Sequence, residues 1–210
     1  MAIQFFWRLS FLLCFLLQPV FAATVNTTVA TKTWLSNWAL NPKSNDSSQN
    51  ASATTFGIGV NVSYRAWLGG IQYYQGNNYA FDQLNVDRSN MDLYTGYRVN
   101  QYISPFVGLK YSRFSYNTAP SKTYIGAAIG FMGQYTVPQL NTHLSANVAY
   151  THLNSDTSSN LSGPAFEFNA AHQLGTTPLH AIVGYKFQQY SNAIEKSTFS
   201  GITLSLSYLF

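Results

Sequence analysis

The chain has 210 residues, 9% of them charged, with 15 Tyr, 15 Phe and 4 Trp. A mean hydropathy of −0.05 argues against a bundle of spanning helices, and the aromatic content argues against a disordered chain. The net charge of +4 contains no run of basic residues, so no nucleic-acid partner is expected. Few charges beside abundant Asn, Ser, Thr and aromatic residues suit a sheet with one oily and one wet face.

Residues 1–22 form an expected export address. Arg8 closes the polar start, Leu9 to Leu17 is apolar, Pro19 breaks the run, and Val20-Phe21-Ala22 offers the small-residue pattern cut by a signal peptidase. Cleavage is expected after Ala22 or one residue on, leaving 23–210 as a single domain. The apolar run is too short for a spanning helix of about 20 residues. Cys14, the single cysteine, falls inside it, so no disulfide or thiolate site is expected in the mature chain. Small residues do not precede Cys14, so lipid anchoring is not expected either.

Beyond residue 23 the sequence alternates apolar and polar residues with the period of a strand. In chain order the segments are Val29–Trp38, Phe56–Arg65, Trp67–Tyr74, Met91–Val99, Phe106–Ser112, Tyr124–Tyr135, His143–Tyr150, Phe166–Ala171, Leu179–Gln188 and Ser200–Phe210. Val29–Trp38 and Trp67–Tyr74 alternate least regularly. Each strand should run for about 9 to 14 residues, enough to cross a membrane at a tilt. Hydrocarbon cannot satisfy backbone N–H and C=O groups, so such a sheet must close. The expectation is an all-β, antiparallel, up-and-down transmembrane barrel of ten strands. If Val29–Trp38 is a plug or loose arm and another irregular strand fails, the count falls to eight.

The connections alternate in length. Short turns are expected at Arg65-Ala66, around Asn100-Gln101, at Pro138–Asn141 and at Gly175–Pro178. Longer polar loops are expected at Asn41–Ala53, Gln75–Asn85, Asn117–Lys122, Asn154–Ser162 and Asn192–Ser197. This is the asymmetry of an outer-membrane barrel, with short turns in the periplasm and long loops outside. Tyr64, Trp67, Tyr97, Tyr102, Tyr135 and Tyr208 are expected in the girdle at the turn end. Tyr73, Tyr111, Phe114, Tyr150 and Tyr190 are expected in the girdle at the loop end.

The last strand places Ile202, Leu204, Leu206, Tyr208 and Phe210 on one face. This resembles bacterial outer-membrane proteins as a class, whose final strand ends in Phe after alternating hydrophobic residues. The resemblance implies that Leu204, Leu206, Tyr208 and Phe210 serve as the signal read by the barrel-assembly machinery. It also implies passage with periplasmic chaperones and residence among outer-membrane lipids, lipopolysaccharide included. Over residues 24–210 the pattern is similar in general terms to the opacity/OmpA-like barrels.

The same alternation puts Lys32, Arg65, Asp92, Arg98, Lys110, Glu167 and Lys186 on the inner face. None of them then meets lipid, where a midplane Lys or Arg would cost about 2–4 kcal/mol. The lumen also receives glycines that either leave a narrow gap or make room for Trp34, Tyr94, Phe106 and Tyr124. A mostly filled lumen is expected.

No catalytic set emerges. His143 and His180 should both face inward near the turns, but without a cysteine or carboxylate cluster no metal is expected, and no cofactor motif is present. The paired Asp residues and Asp-x-His arrangement of the omptin proteases do not appear, although His152 could approach Asp156. Gln189-Tyr190-Ser191-Asn192-Ala193 resembles the His-x-Ser-Asn segment of lipid A 3-O-deacylases. That resemblance would make Ser191 a nucleophile and Asn192 a helper, but Gln189 stands where the base is needed. The expected role is structural, or surface interaction with a host or surface ligand through the loops. A narrow channel favouring small anions and a lipid-modifying enzyme are the alternatives.

Overall fold

The computed structural model describes residues 25–43, 47–82, 84–155 and 159–210. The export segment expected at 1–22, with Cys14, lies outside them, as does Asp156. Ten antiparallel strands close into one barrel, each paired with its chain neighbours and the first with the last. They are β1 (Val25–Pro42), β2 (Gln49–Tyr64), β3 (Trp67–Phe81), β4 (Leu84–Tyr97), β5 (Ile103–Tyr116), β6 (Lys122–Val137), β7 (Thr142–Asn154), β8 (Leu161–Gln173), β9 (Leu179–Ser191) and β10 (Glu195–Leu209). The eight-strand alternative is thereby excluded. Val25–Pro42, far from being a loose arm, is the longest strand at 18 residues.

Closure is continuous from Thr28 opposite Leu209 to Pro42 opposite Glu195. Beyond the last strand residue, the Phe210 N–H still donates to the Thr27 carbonyl at 2.8 Å. The two edges of the sheet thus satisfy one another. Along every strand, apolar side chains at alternate positions stand exposed on the outside, among them Phe56, Ile58, Ile129, Phe131, Val148 and Leu206. Their partners in the alternation face inward, buried or half-buried.

The short turns rest on residues that tolerate left-handed backbone. Arg65 has φ 54° in the turn between β2 and β3, and Asn141 has φ 47° before β7. Asn100 Oδ1 accepts from the N–H groups of Tyr102 (2.8 Å) and Ile103 (2.9 Å), fixing the β4–β5 turn. Arg65 is a correction. It does not face the lumen; it is exposed in its turn, its guanidinium 5.3 Å from the ring centre of Tyr64. The turn breaks the alternation that had placed it inside.

At the opposite, loop end the strands run further than expected. The Gln75–Asn85 segment is almost wholly strand, with β3 ending at Phe81 and β4 starting at Leu84. A β-bulge between Gly76 and Tyr79 sets Asn77 and Asn78 opposite Asp87. Asn78 takes φ 60° there, and its N–H donates to Asp87 Oδ1 at 2.7 Å. The extra residue shifts the phase of the strand and turns Tyr79 and Phe81 into the barrel. Phe114 and Tyr190 are further corrections. They were expected in the outer girdle but are buried in the lumen, on the same face of their strands as Lys110 and Lys186. The girdle at the turn end is as expected, with Trp67, Tyr97, Tyr102, Tyr135 and Tyr208 all exposed.

Inside, glycines face aromatic rings across neighbouring strands. A Cβ on Gly57 would lie 2.6 Å from both the Tyr73 carbonyl and the Tyr74 ring. One on Gly108 would meet Tyr94 Cβ at 3.3 Å, and one on Gly130 would meet Phe106 Cε1 at 2.9 Å. The glycines therefore make space for rings rather than leaving a passage. Gly57→Val is expected to destabilise the barrel by about 1–3 kcal/mol through overpacking. Gly133→Ala, whose new methyl would find nothing nearer than 3.8 Å, should be close to neutral. Urea unfolding midpoints of the two variants in lipid vesicles check the contrast.

Candidate functional site

The interior is stratified along the barrel axis. At the loop end, strands β1, β3, β5, β6, β9 and β10 send aromatic side chains to a common centre. Trp38 packs on Phe199 (ring centres 4.6 Å apart), Phe81 (5.0 Å), Tyr79 (5.4 Å) and Phe114 (5.4 Å). Tyr79 and Phe199 are completely buried, as is Leu153 beside them. The result is an aromatic plug.

Arg88 is embedded in this plug, 2% exposed. Its guanidinium carbon lies 3.8 Å from the ring centre of Phe199 and within 6 Å of Trp34, Phe114 and Tyr190. Stacking of this kind is worth about 2 kcal/mol or more away from water. Arg88 donates across the lumen to Gln188 Oε1 at 2.8 Å, and its Nε donates to Asn90 Oδ1 at 3.3 Å. It pairs with no carboxylate among the described residues. Arg88 Nη1, Trp34 Nε1, Trp38 Nε1 and the Tyr190 hydroxyl are buried there without a hydrogen-bond partner.

Beneath the plug lies a charged layer. Lys32 on β1 contacts Glu167 on β8, and Lys110 on β5 contacts Asp92 on β4. Strands β1 and β8 are not neighbours, so the first pair spans the lumen. Asn169 also donates to Glu167 Oε1 at 3.0 Å. Lys186 is more distant, its Nζ 3.8 Å from Glu167 Oε2 and 4.1 Å from the ring centre of Tyr74. A cavity of about 120 Å³ adjoins this layer, lined by Lys110, Lys186, Gln188 and Thr151 among others.

Towards the turn end the barrel widens into a polar cavity of about 330 Å³, lined by Asn61, Gln72, Gln134, Asn147 and Asn169. The Tyr94 hydroxyl donates to Asn61 Oδ1 at 2.6 Å. His143 and His180 meet near the turn end with ring centres 6.0 Å apart. The described residues contain no group of three or more His, Cys, Asp or Glu side chains placed to hold a metal.

Of the residues singled out in the sequence, Lys32, Asp92, Lys110, Glu167 and Lys186 are thus brought together in one layer. Arg98 stands apart just after β4, half-buried, with its backbone N–H donating to the Ala66 carbonyl at 2.6 Å. Arg88 lies outside the alternation that runs from Met91, beside the polar stretch Gln75–Asn85 that reads as a loop. The signal was available, since Arg88 shares its parity with Asp92. Leu204, Leu206, Tyr208 and Phe210 are exposed on the outer face. Gln189 and Ser191 lie on the outward side of β9. Asn192 serves the hairpin, its Oδ1 accepting from the Ile194 and Glu195 N–H groups at 2.8 Å each. Among the described residues no acid or base is hydrogen-bonded to the Ser191 hydroxyl.

No family model and no curated protein matches the sequence at a significant level. Solved structures do match. The outer-membrane protease OmpT from Escherichia coli aligns with a TM-score of 0.57 at 12% identity, covering 91% of this chain and 99% of that one. The translocator domain of the autotransporter NalP from Neisseria meningitidis aligns at 0.46 and 11% identity, covering 99% and 95%. Neisserial surface protein A aligns at 0.41 and 11% identity, covering 89% and 98%. At 12% identity the likeness to OmpT is one of fold alone, that of a closed antiparallel outer-membrane β-barrel.

Proposed function

We propose that this protein is exported by a cleavable signal peptide and resides in the outer membrane of a Gram-negative bacterium. Both ends of its barrel domain and the short turns would face the periplasm. Its role is structural, or surface interaction through the loop end, with a host or surface molecule as partner. Leu204, Leu206, Tyr208 and Phe210 would present it to periplasmic chaperones and the assembly machinery, and lipopolysaccharide would surround its outer half.

The aromatic plug carries this reading. A conduit for solutes needs a continuous wet path, and at the loop end the fully buried rings of Tyr79 and Phe199, packed with Trp38, occupy the interior, which supports a closed lumen. The rim and its connections are then the part of the molecule offered to the outside. The purified protein in planar bilayers is expected to show no discrete conductance, and the double variant Trp38→Ala, Phe199→Ala should acquire it. Regular conductance steps from the unaltered protein would instead favour the second reading, a narrow anion channel, which the inward lysines support. In that case Lys110→Glu or Lys186→Glu should reverse the ion preference.

An enzymatic role on lipids has less support, because among the described residues no base is hydrogen-bonded to Ser191. Overexpression is expected to leave the acylation pattern of the surface lipid unchanged, and Ser191→Ala to be indistinguishable from the parent by mass spectrometry. Loss of an acyl chain that depends on Ser191 would reverse that judgement.

A further inference from the structure

Between its two rims the interior holds Lys32, Arg88, Lys110 and Lys186 against Asp92 and Glu167, an excess of two positive charges. The carboxylates are already committed. Asp92 is in contact with Lys110, and Glu167 is in contact with Lys32 while accepting from Asn169. Lys186 and Arg88 carry the surplus. Lys186 is 6% exposed, and its nearest carboxylate oxygen, at 3.8 Å, is beyond hydrogen-bond reach. Its ammonium group makes no protein hydrogen bond among the described residues, although it borders the cavity of about 120 Å³ beneath the plug.

We propose that this cavity binds one small inorganic monoanion of halide size, held by Lys186 and Lys110 with the amide of Gln188. Asp92 and Glu167 line the same cavity, but each is already in contact with a lysine, so the interior surplus of positive charge is left for an added anion. Gln188 accepts the Arg88 hydrogen bond through Oε1, which leaves its amide N–H groups for the cavity it lines. Thr151, also buried, lines the same space and can supply a hydroxyl donor. A water molecule needs roughly 10–15 Å³ of such space, so the cavity has room for an ion with water around it. Water alone would satisfy the Lys186 hydrogen bonds but leave two uncompensated charges in a barrel surrounded by hydrocarbon. Such charges are costly, and a charge-assisted contact to an anion offsets part of that cost.

The test uses the mature chain refolded in zwitterionic detergent, with thermal unfolding followed by the loss of β-sheet circular dichroism. At constant ionic strength, sodium chloride or bromide replaces sodium gluconate, whose anion is too large for the cavity. A halide bound to the folded state should raise the midpoint by a few degrees with saturation. Lys186→Met should flatten that response, and Lys196→Met, on the exposed rim, should retain it. An equal response to all salts, or one that survives in Lys186→Met, overturns the site. Loss of a proton from Lys186 would relieve part of the same charge excess, and that alternative predicts no halide dependence. If Lys186→Met does not fold, crystals of the unaltered protein soaked in bromide decide. An anomalous peak in contact with Lys186 Nζ supports the proposal, and a cavity without one overturns it. Neither arm depends on whether the plug is closed to solutes, which conductance tests separately.

Discussion

A backbone amide in hydrocarbon has no partner except another part of the chain. Closure of β1 on β10 meets that requirement for both sheet edges, and most other features follow from it. Once the sheet is a cylinder, side-chain direction becomes binary, and alternate residues belong either to lipid or to the interior. The exterior must then be apolar and the charges must be placed inside. Lys32, Asp92, Lys110, Glu167 and Lys186 show the second consequence, Leu204 and Leu206 the first. Changes to the composition of the outer face or to the interior charges would act through this one geometric fact.

The interior is not uniform, and its gradient separates two kinds of cohesion. Near the loop end, ring packing around Phe199 excludes water and encloses Arg88. In the middle, the Lys32–Glu167 pair reaches between strands that are not neighbours and ties separate parts of the wall together, while Lys110–Asp92 joins adjacent strands. Towards the turns, amides line open space. The loop end is the part of the interior most densely filled with side chains. Arg88, which pairs with no carboxylate among the described residues, gives that end of the interior a positive character.

Much of this was legible in the sequence, because period-two alternation survives almost undisturbed over long stretches. Strand number, closure, the inward lysines and the exterior face of the last strand all came from it. Errors arose where a local signal competed with the alternation. Arg65 carries the right parity but sits where a tight turn needs left-handed backbone. Phe114 and Tyr190 are aromatic and near strand ends, which suggested an interfacial girdle, yet their parity with Lys110 and Lys186 puts them inside. The polar stretch Gln75–Asn85 looked like a loop, and Arg88 just beyond it was lost with it. Which charges would touch one another was not legible, because contacts across the lumen depend on strand tilt and side-chain reach.

The bulge at Asn77 and Asn78 works as a phase shifter for the tip of β3. Without it, strict alternation would send Tyr79 and Phe81 towards lipid and Ala80 inward, and two of the rings around Trp38 would be missing. The composition of the plug is therefore written partly in a single backbone torsion, that of Asn78, and not only in the identity of its rings. Asparagine accepts that angle readily, whereas a β-branched residue resists it. Relatives of this chain could thus keep every aromatic residue and still differ in how fully the loop end is filled, according to the residue at position 78.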